Sequence, residues 1–157
     1  MKIVMDADCL IKLTKAGLKE PVCRHFEIVI PEAVKREVVD AGRLKGLWDA
    51  ETTERNILDG LLGVSSEPTA GGIKGDQALL DGYQKGGYDF VATDDARMLR
   101  LFRSSGIPSL VPGLFIFLLW RRKTINLETA LRYLDRLSVF VSPDEESVVR
   151  LLLEGKR

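Results

Sequence analysis

Short apolar runs and helical stripes alternate along the chain. Lys2–Met5 is a short apolar strand. Behind it, "CLIKLTKAG" has helical spacing, with Asp8 as the expected N-cap and Gly17 as the stop. A short segment, "LKEPVCRH", leads to "FEIVIP" (Phe26–Pro31), which alternates and ends in proline, and so predicts a second strand. "PEAVKREVVDAG" predicts a helix, with Pro31 near its first position, Ala33, Val34 and Val38 on one side, and Gly42 as its end. "LWDAETTERNILDGLL" again has helical spacing, "LLGVSS" offers a short strand, and "SSEPTAGG" (Ser65–Gly72) is the clearest loop.

The second half repeats the alternation. "GDQALLDGYQKGG" is a helix stopped by Gly86 and Gly87, "DFVATDD" a strand that runs into two acids, and "ARMLRLFRSSG" a helix ending at Gly106. "IPSLVP" is a short strand. Helices over Leu114–Arg122 and Leu127–Leu137 follow, and "SPDEESVVRLLLEG" forms the last one, capped by Ser142 or Asp144. Strand and helix in alternation predict a parallel sheet covered on both faces, an α/β fold.

Composition narrows the class. The chain has 157 residues, enough for one domain that needs no staples. Lys plus Arg and Asp plus Glu are equal at 23 each, which argues against an indiscriminate nucleic-acid coat but leaves room for a local basic face. "MKIVMD" meets an acid too early for a signal peptide, and Cys9 and Cys23 read as reduced thiols, so a cytoplasmic protein is expected. "LFIFLLW" (Leu114–Trp120) is too short to span a bilayer, so no membrane role is expected. With large apolar groups on every side, that helix is expected to be buried or to pair two copies of the chain as a homodimer.

The chemistry lies in acids placed where they are costly. "IVMDADCLIKL" (Ile3–Leu13) carries Asp6 and Asp8 inside an apolar run. An ionised carboxylate there must be paired, hydrogen-bonded or bound to a metal. In parallel α/β sheets, sites gather at the carboxyl ends of strands, and Asp6, Asp94 and Asp95 all follow strands. Glu37 on the helix after the second strand and Asp76 at the first turn of the "GDQALL" helix complete a candidate cluster. Each has an ordinary alternative. Asp6, Asp8, Asp76 and one of Asp94 and Asp95 can serve as helix caps, and Glu37 can be a solvated helix residue. Like charges brought this close repel, and no obvious basic partner sits beside them in sequence, so a cluster would need a cation, and open carboxylate sites suit Mg²⁺ or Mn²⁺. Two such ions about 3.5–4 Å apart hold a phosphodiester for in-line attack. Arg97, Arg100 and Arg103 recur at intervals of three after the acidic strand end, either as phosphate contacts or as a solvated helix face.

These motifs resemble those of PIN-domain nucleases. The resemblance rests on "IVMDADCLIKL", "IPEAVKREV", "KGDQALLDGYQ" and "FVATDDARMLRLFRSSGIP", in that order, and the tail from Leu114 is similar to a prokaryotic subgroup close to VapC-type toxins. It covers nearly the whole chain as one PIN-like domain. It implies a three-layer α/β/α sandwich with a mainly parallel sheet, and Mg²⁺- or Mn²⁺-dependent endoribonuclease activity. Carried over by position, Asp6, Glu37, Asp76 and Asp94 are the catalytic quartet, with Asp95 as an auxiliary metal ligand beside Asp6, Asp76 and Asp94. Arg97 and Arg100 would touch RNA, and an antitoxin protein and a second copy of the chain are the implied partners. The chain departs from the family in two places. Asp8 stands where Ser, Thr or Asn is usual, and "TDD" leaves the fourth position shared between Asp94 and Asp95.

Two other classes remain. "DAD" and "KGDQALLD" (Lys74–Asp81) resemble motifs of haloacid-dehalogenase-type phosphatases, in which Asp6 would take the phosphoryl group and Asp8 act as acid and base. That family also needs a Ser/Thr-ending strand and a well-separated lysine, which "LLGVSS" supplies poorly. The other class is a PIN-like module that binds RNA or protein without cutting.

Overall fold

The computed structural model describes residues 1–66 and 75–155. Most of the expected "SSEPTAGG" loop, and Lys74, lie outside the described residues.

Five strands form one parallel sheet: β1 (Lys2–Met5), β2 (Glu27–Pro31), β3 (Gly63–Ser65), β4 (Phe90–Ala92) and β5 (Ser109–Leu110). Their spatial order is β3-β2-β1-β4-β5. The chain therefore builds outward from β1 on one side, then crosses back and builds outward on the other. The reversal falls between β1 and β4, which pair with Met5 opposite Ala92. This is the topological switch point of the sheet, where the two sets of acids leave their strands side by side.

Strand alternation splits the core between the two faces. Ile3, Met5, Ile28 and Ile30 point into the larger core, with Leu10, Leu13, Phe115, Ile116 and Leu134. Val4 and Val91 point the other way, onto Leu79, Met98 and Phe102. The first face is covered by α1 (Ala7–Lys15), α2 (Lys19–His25), α8 (Pro112–Arg121), α9 (Leu127–Leu137) and α10 (Pro143–Glu154), and the second by α6 (Gly75–Gln84) and α7 (Ala96–Ser104). The three-layer α/β/α arrangement expected from the alternation is the one found. Among the described residues, no helix is long and apolar enough to cross a membrane.

Three local expectations change. The helix after β2 is interrupted. It runs as α3 (Glu32–Lys35), a π-helical segment (Arg36–Asp40) and α4 (Ala41–Leu44), before α5 (Trp48–Leu58). Val38 and Val39 are adjacent and both buried, which one extra residue per turn permits. Gly42 is not a stop but a contact: a β-carbon there would lie 2.8 Å from the Ala50 β-carbon of α5. Gly42→Ala is expected to lower stability by about 1 kcal/mol in urea unfolding, overpacking outweighing the gain in helix propensity. Lastly, "LFIFLLW" needs no second copy to cover it. α8 packs against α1, α2, α9 and α10, and Phe115, Ile116 and Leu119 are fully buried inside the one chain.

Candidate functional site

β1 ends after Met5 because the next residue starts a helix. The Asp6 N–H still donates to the Ala92 carbonyl of β4 at 3.0 Å, while its side chain turns to cap α1. Asp6 Oδ1 accepts from the Cys9 N–H at 2.8 Å. Asp6, not Asp8, is thus the N-cap; Asp8 sits in the first turn of α1 and is exposed. The second carboxylate oxygen of Asp6 accepts from the Thr93 hydroxyl, which is buried between the two strand ends. That hydroxyl in turn accepts the Asp95 N–H at 3.2 Å. Asp95 caps α7, its Oδ1 taking the Met98 N–H at 2.8 Å. Thr93 therefore ties the acid of β1 to the acids behind β4.

A cavity of about 360 Å³ opens over this junction, lined by Asp6, Asp8, Glu37, Asp76, Asp94 and Asp95 with Ala7, Val34 and Ala96. Every acid of the candidate cluster reaches it, and so does Asp8. Glu37 arrives from the π-helical segment and Asp76 from the first turn of α6, both exposed. Asp81 of the phosphatase-like motif accepts instead from Gln77 at 2.7 Å on an exposed stretch of α6.

The acids are not without basic partners, contrary to the reading of the sequence. Lys12 Nζ lies 2.9 Å from Asp8 Oδ2 and hydrogen-bonds Asp94 Oδ2. Arg97 lies 3.1 Å from Asp76 Oδ2 across a largely exposed pair. Arg100 and Arg103 are exposed on α7. Lys12 is one helical turn beyond Asp8, so that pair was readable; Asp94 is 82 residues away and was not.

Glu145, from the first turn of α10, gave no sequence signal at all. It comes within hydrogen-bonding reach of Asp94, and its Oε1 accepts the Gly113 N–H at 2.7 Å. Gly113 permits that approach: a β-carbon on it would come within 2.8 Å of Val149 and 3.1 Å of Glu145.

The electrostatics follow from burial and charge. Desolvation pushes the Asp6 carboxyl up to about 6, although the Thr93 and Cys9 donors favour its charged form. Burial, and then the charge of Asp94, push the Glu145 carboxyl up to about 7. Burial alone would lower the Lys12 ammonium, but the hydrogen bonds to Asp94 and Asp8 outweigh it and raise it to about 12. Cys9 is fully buried beneath the site and its thiol is raised well above the usual range by burial, so it packs and does not react.

The donor set is oxygen-only, the chemistry that hard divalent cations take. Among the described residues, however, no three His, Cys, Asp or Glu side chains already converge to hold a metal ion. The carboxylates instead spend their oxygens on Lys12, Arg97, Thr93 and helix N–H groups. The chain matches no protein-family model, and no curated protein matches it.

Proposed function

We propose that the chain is a Mg²⁺- or Mn²⁺-dependent endoribonuclease of the PIN type. The observation that supports this reading is the single cavity at the sheet's switch point, into which six acids from four separate segments project. Acids that repel each other are gathered from across a fold for cation chemistry more readily than for packing. Asp6, Glu37, Asp76 and Asp94 are the proposed catalytic quartet, and Asp6, Asp76, Asp94 and Asp95 the proposed metal-holding groups.

A bound divalent ion would supply a charge for the scissile phosphate and an acidified water as nucleophile. The chain does the rest. Thr93 and the N-terminus of α1 fix Asp6 in one rotamer, so its orientation is set before substrate arrives. Asp95 is held the same way by α7. Arg97, which meets the cavity acid Asp76, and Arg100, three residues further along α7, are the proposed contacts to RNA phosphates. Arg97 must then exchange Asp76 for phosphate.

RNA is the proposed substrate, an antitoxin the proposed regulator and a homodimer the proposed assembly. The defining experiment incubates the metal-stripped protein with a defined set of tRNA, rRNA and mRNA fragments. Discrete cleavage is expected on adding Mn²⁺ or Mg²⁺ and is expected to stop with excess chelator. RNA that is bound but never cut under either metal would turn the reading to a non-catalytic module.

A further inference from the structure

We infer that Lys19 is a nucleophilic amine that captures a small apolar aldehyde as a covalent imine, in a cavity where α1, α2 and α5 meet. The inference is independent of the nuclease reading, and this cavity shares no lining residue with the acidic one.

The cavity, of about 140 Å³, is lined by Thr14, Gly17, Lys19, Glu20, Trp48 and Thr52. Lys19 opens α2 and is only 4% exposed. Its Nζ donates to the Thr53 hydroxyl at 3.0 Å, and that hydroxyl donates in turn to the Asp49 carbonyl at 2.7 Å. Among the described residues, Lys19 has no acid within ion-pair distance and no second acceptor. A buried ammonium with one neutral partner is costly, so the free amine is favoured. Burial brings the group from 10.5 down to about 8, against the opposing charges of Cys23, Glu20 and Asp49. Cys23, one helical turn on, is no rival nucleophile, because burial pushes its thiol up to about 12.

The rest of the lining selects a neutral guest. The Thr14 hydroxyl already donates to the Leu10 carbonyl at 2.7 Å, and that of Thr52 to the carbonyls of Trp48 and Asp49. An anion would find no free hydroxyl donor there and would meet the Glu20 carboxylate. Trp48, 59% exposed, supplies apolar surface for the body of the guest. In the reaction the amine lone pair attacks the carbonyl carbon and forms the C–N bond. The carbonyl oxygen leaves as water with two protons from the amine, and no oxidant or reductant is consumed. Exclusion of water from a buried amine then slows hydrolysis of the imine.

The test treats the intact chain with benzaldehyde and sodium cyanoborohydride, which reduces the imine to a stable benzylamine, and maps the label by peptide mass spectrometry. At pH 7.5 Lys19 is expected to be labelled at least about tenfold faster than any other lysine, because a far larger share of it is uncharged. The rate should saturate with benzaldehyde, and should rise with pH as the amine loses its proton near pH 8. The charged or titratable groups around that amine are Glu20 and Cys23 on α2 and Asp49 on α5, with Arg136 of α9 beside Gly17; α1 lends the cavity Thr14 and no charge. Trp48→Ala should slow labelling of Lys19 several-fold and leave the other lysines unchanged. Lys19→Met should remove the fast label, and the mapping of the unaltered chain stands even if that variant folds poorly. Label spread over the exposed lysines, with Lys19 no faster, would overturn the inference. So would a Lys19 label that fails to saturate or is unchanged by Trp48→Ala.

Discussion

Replacing Asp6 by asparagine should make the metal-free protein more stable at neutral pH, by up to about 3 kcal/mol. Burial raises the Asp6 carboxyl from 3.8 to about 6, so the folded state prefers the proton that the unfolded chain has already released. The cost of the charge is therefore absent below about pH 4, grows between about pH 4 and 6, and stays constant above. Each tenfold change in proton affinity is worth about 1.4 kcal/mol, which sets the upper limit near 3 kcal/mol. The amide keeps the local structure: its oxygen accepts the Cys9 N–H as the carboxylate does, and its NH₂ can donate to the Thr93 oxygen. For a chain of this size the melting temperature should rise by roughly 5–10 °C at pH 7.5. The gain should vanish near pH 4, where the parent carboxyl is already protonated in the fold. Mn²⁺ should stabilise the parent by mass action and the variant less. A variant less stable than the parent at both pH values would make Asp6 a cap and nothing more.

The same substitution should remove catalysis. Asp6→Asn and Asp94→Asn are each expected to reduce metal-dependent RNA cleavage by at least about a hundredfold, the scale on which one preorganised charge-stabilising group acts. Asp6→Asn combines the two outcomes, a gain in stability with a loss of turnover. That pairing marks a group placed for chemistry at the expense of the fold. Asp94→Asn should differ in one respect. It removes the carboxylate that Lys12 and Glu145 both address, so its metal-free stability is not expected to rise as that of Asp6→Asn does.

Much of this architecture is visible in the pattern of residues, and the failures have physical causes. Strands β1, β2 and β4 announce themselves as short apolar runs that end in proline or acids, and α9 begins and ends where its periodicity does. Asp6 and Asp8 were both competent caps. The choice between them was made by the ladder, which carries the backbone of Asp6 onto Ala92 and leaves it the last residue before the helix. The π-helical segment escaped because a single extra residue leaves the helical composition unchanged. Only the adjacent burial of Val38 and Val39 betrays it. Of the two readings open to the apolar α8, burial is the one realised, and its covering helices α9 and α10 come later in the chain and present their own apolar faces to it.

The cavity itself was legible as four acids at strand and helix ends, with Glu37 from the helix after β2, since parallel topology brings such ends together. Its counter-charges were less so. Lys12 could be matched to Asp8 by helical spacing, but its contact with Asp94, and that of Glu145 with Asp94, depend on tertiary packing that no local pattern encodes. Thr93 could have been flagged as the residue between an apolar strand and two acids, although a buried hydroxyl at a strand end looks the same when it serves only the backbone.

In the proposed reaction the acids around Asp6 hydrolyse RNA through an activated water. The most direct measurement is the chemistry of the cut ends, read by mass spectrometry after incubation with Mn²⁺. The expected termini are 5′-phosphate and 3′-hydroxyl, because water and not the RNA 2′-hydroxyl attacks. Termini carrying a 2′,3′-cyclic phosphate would contradict it.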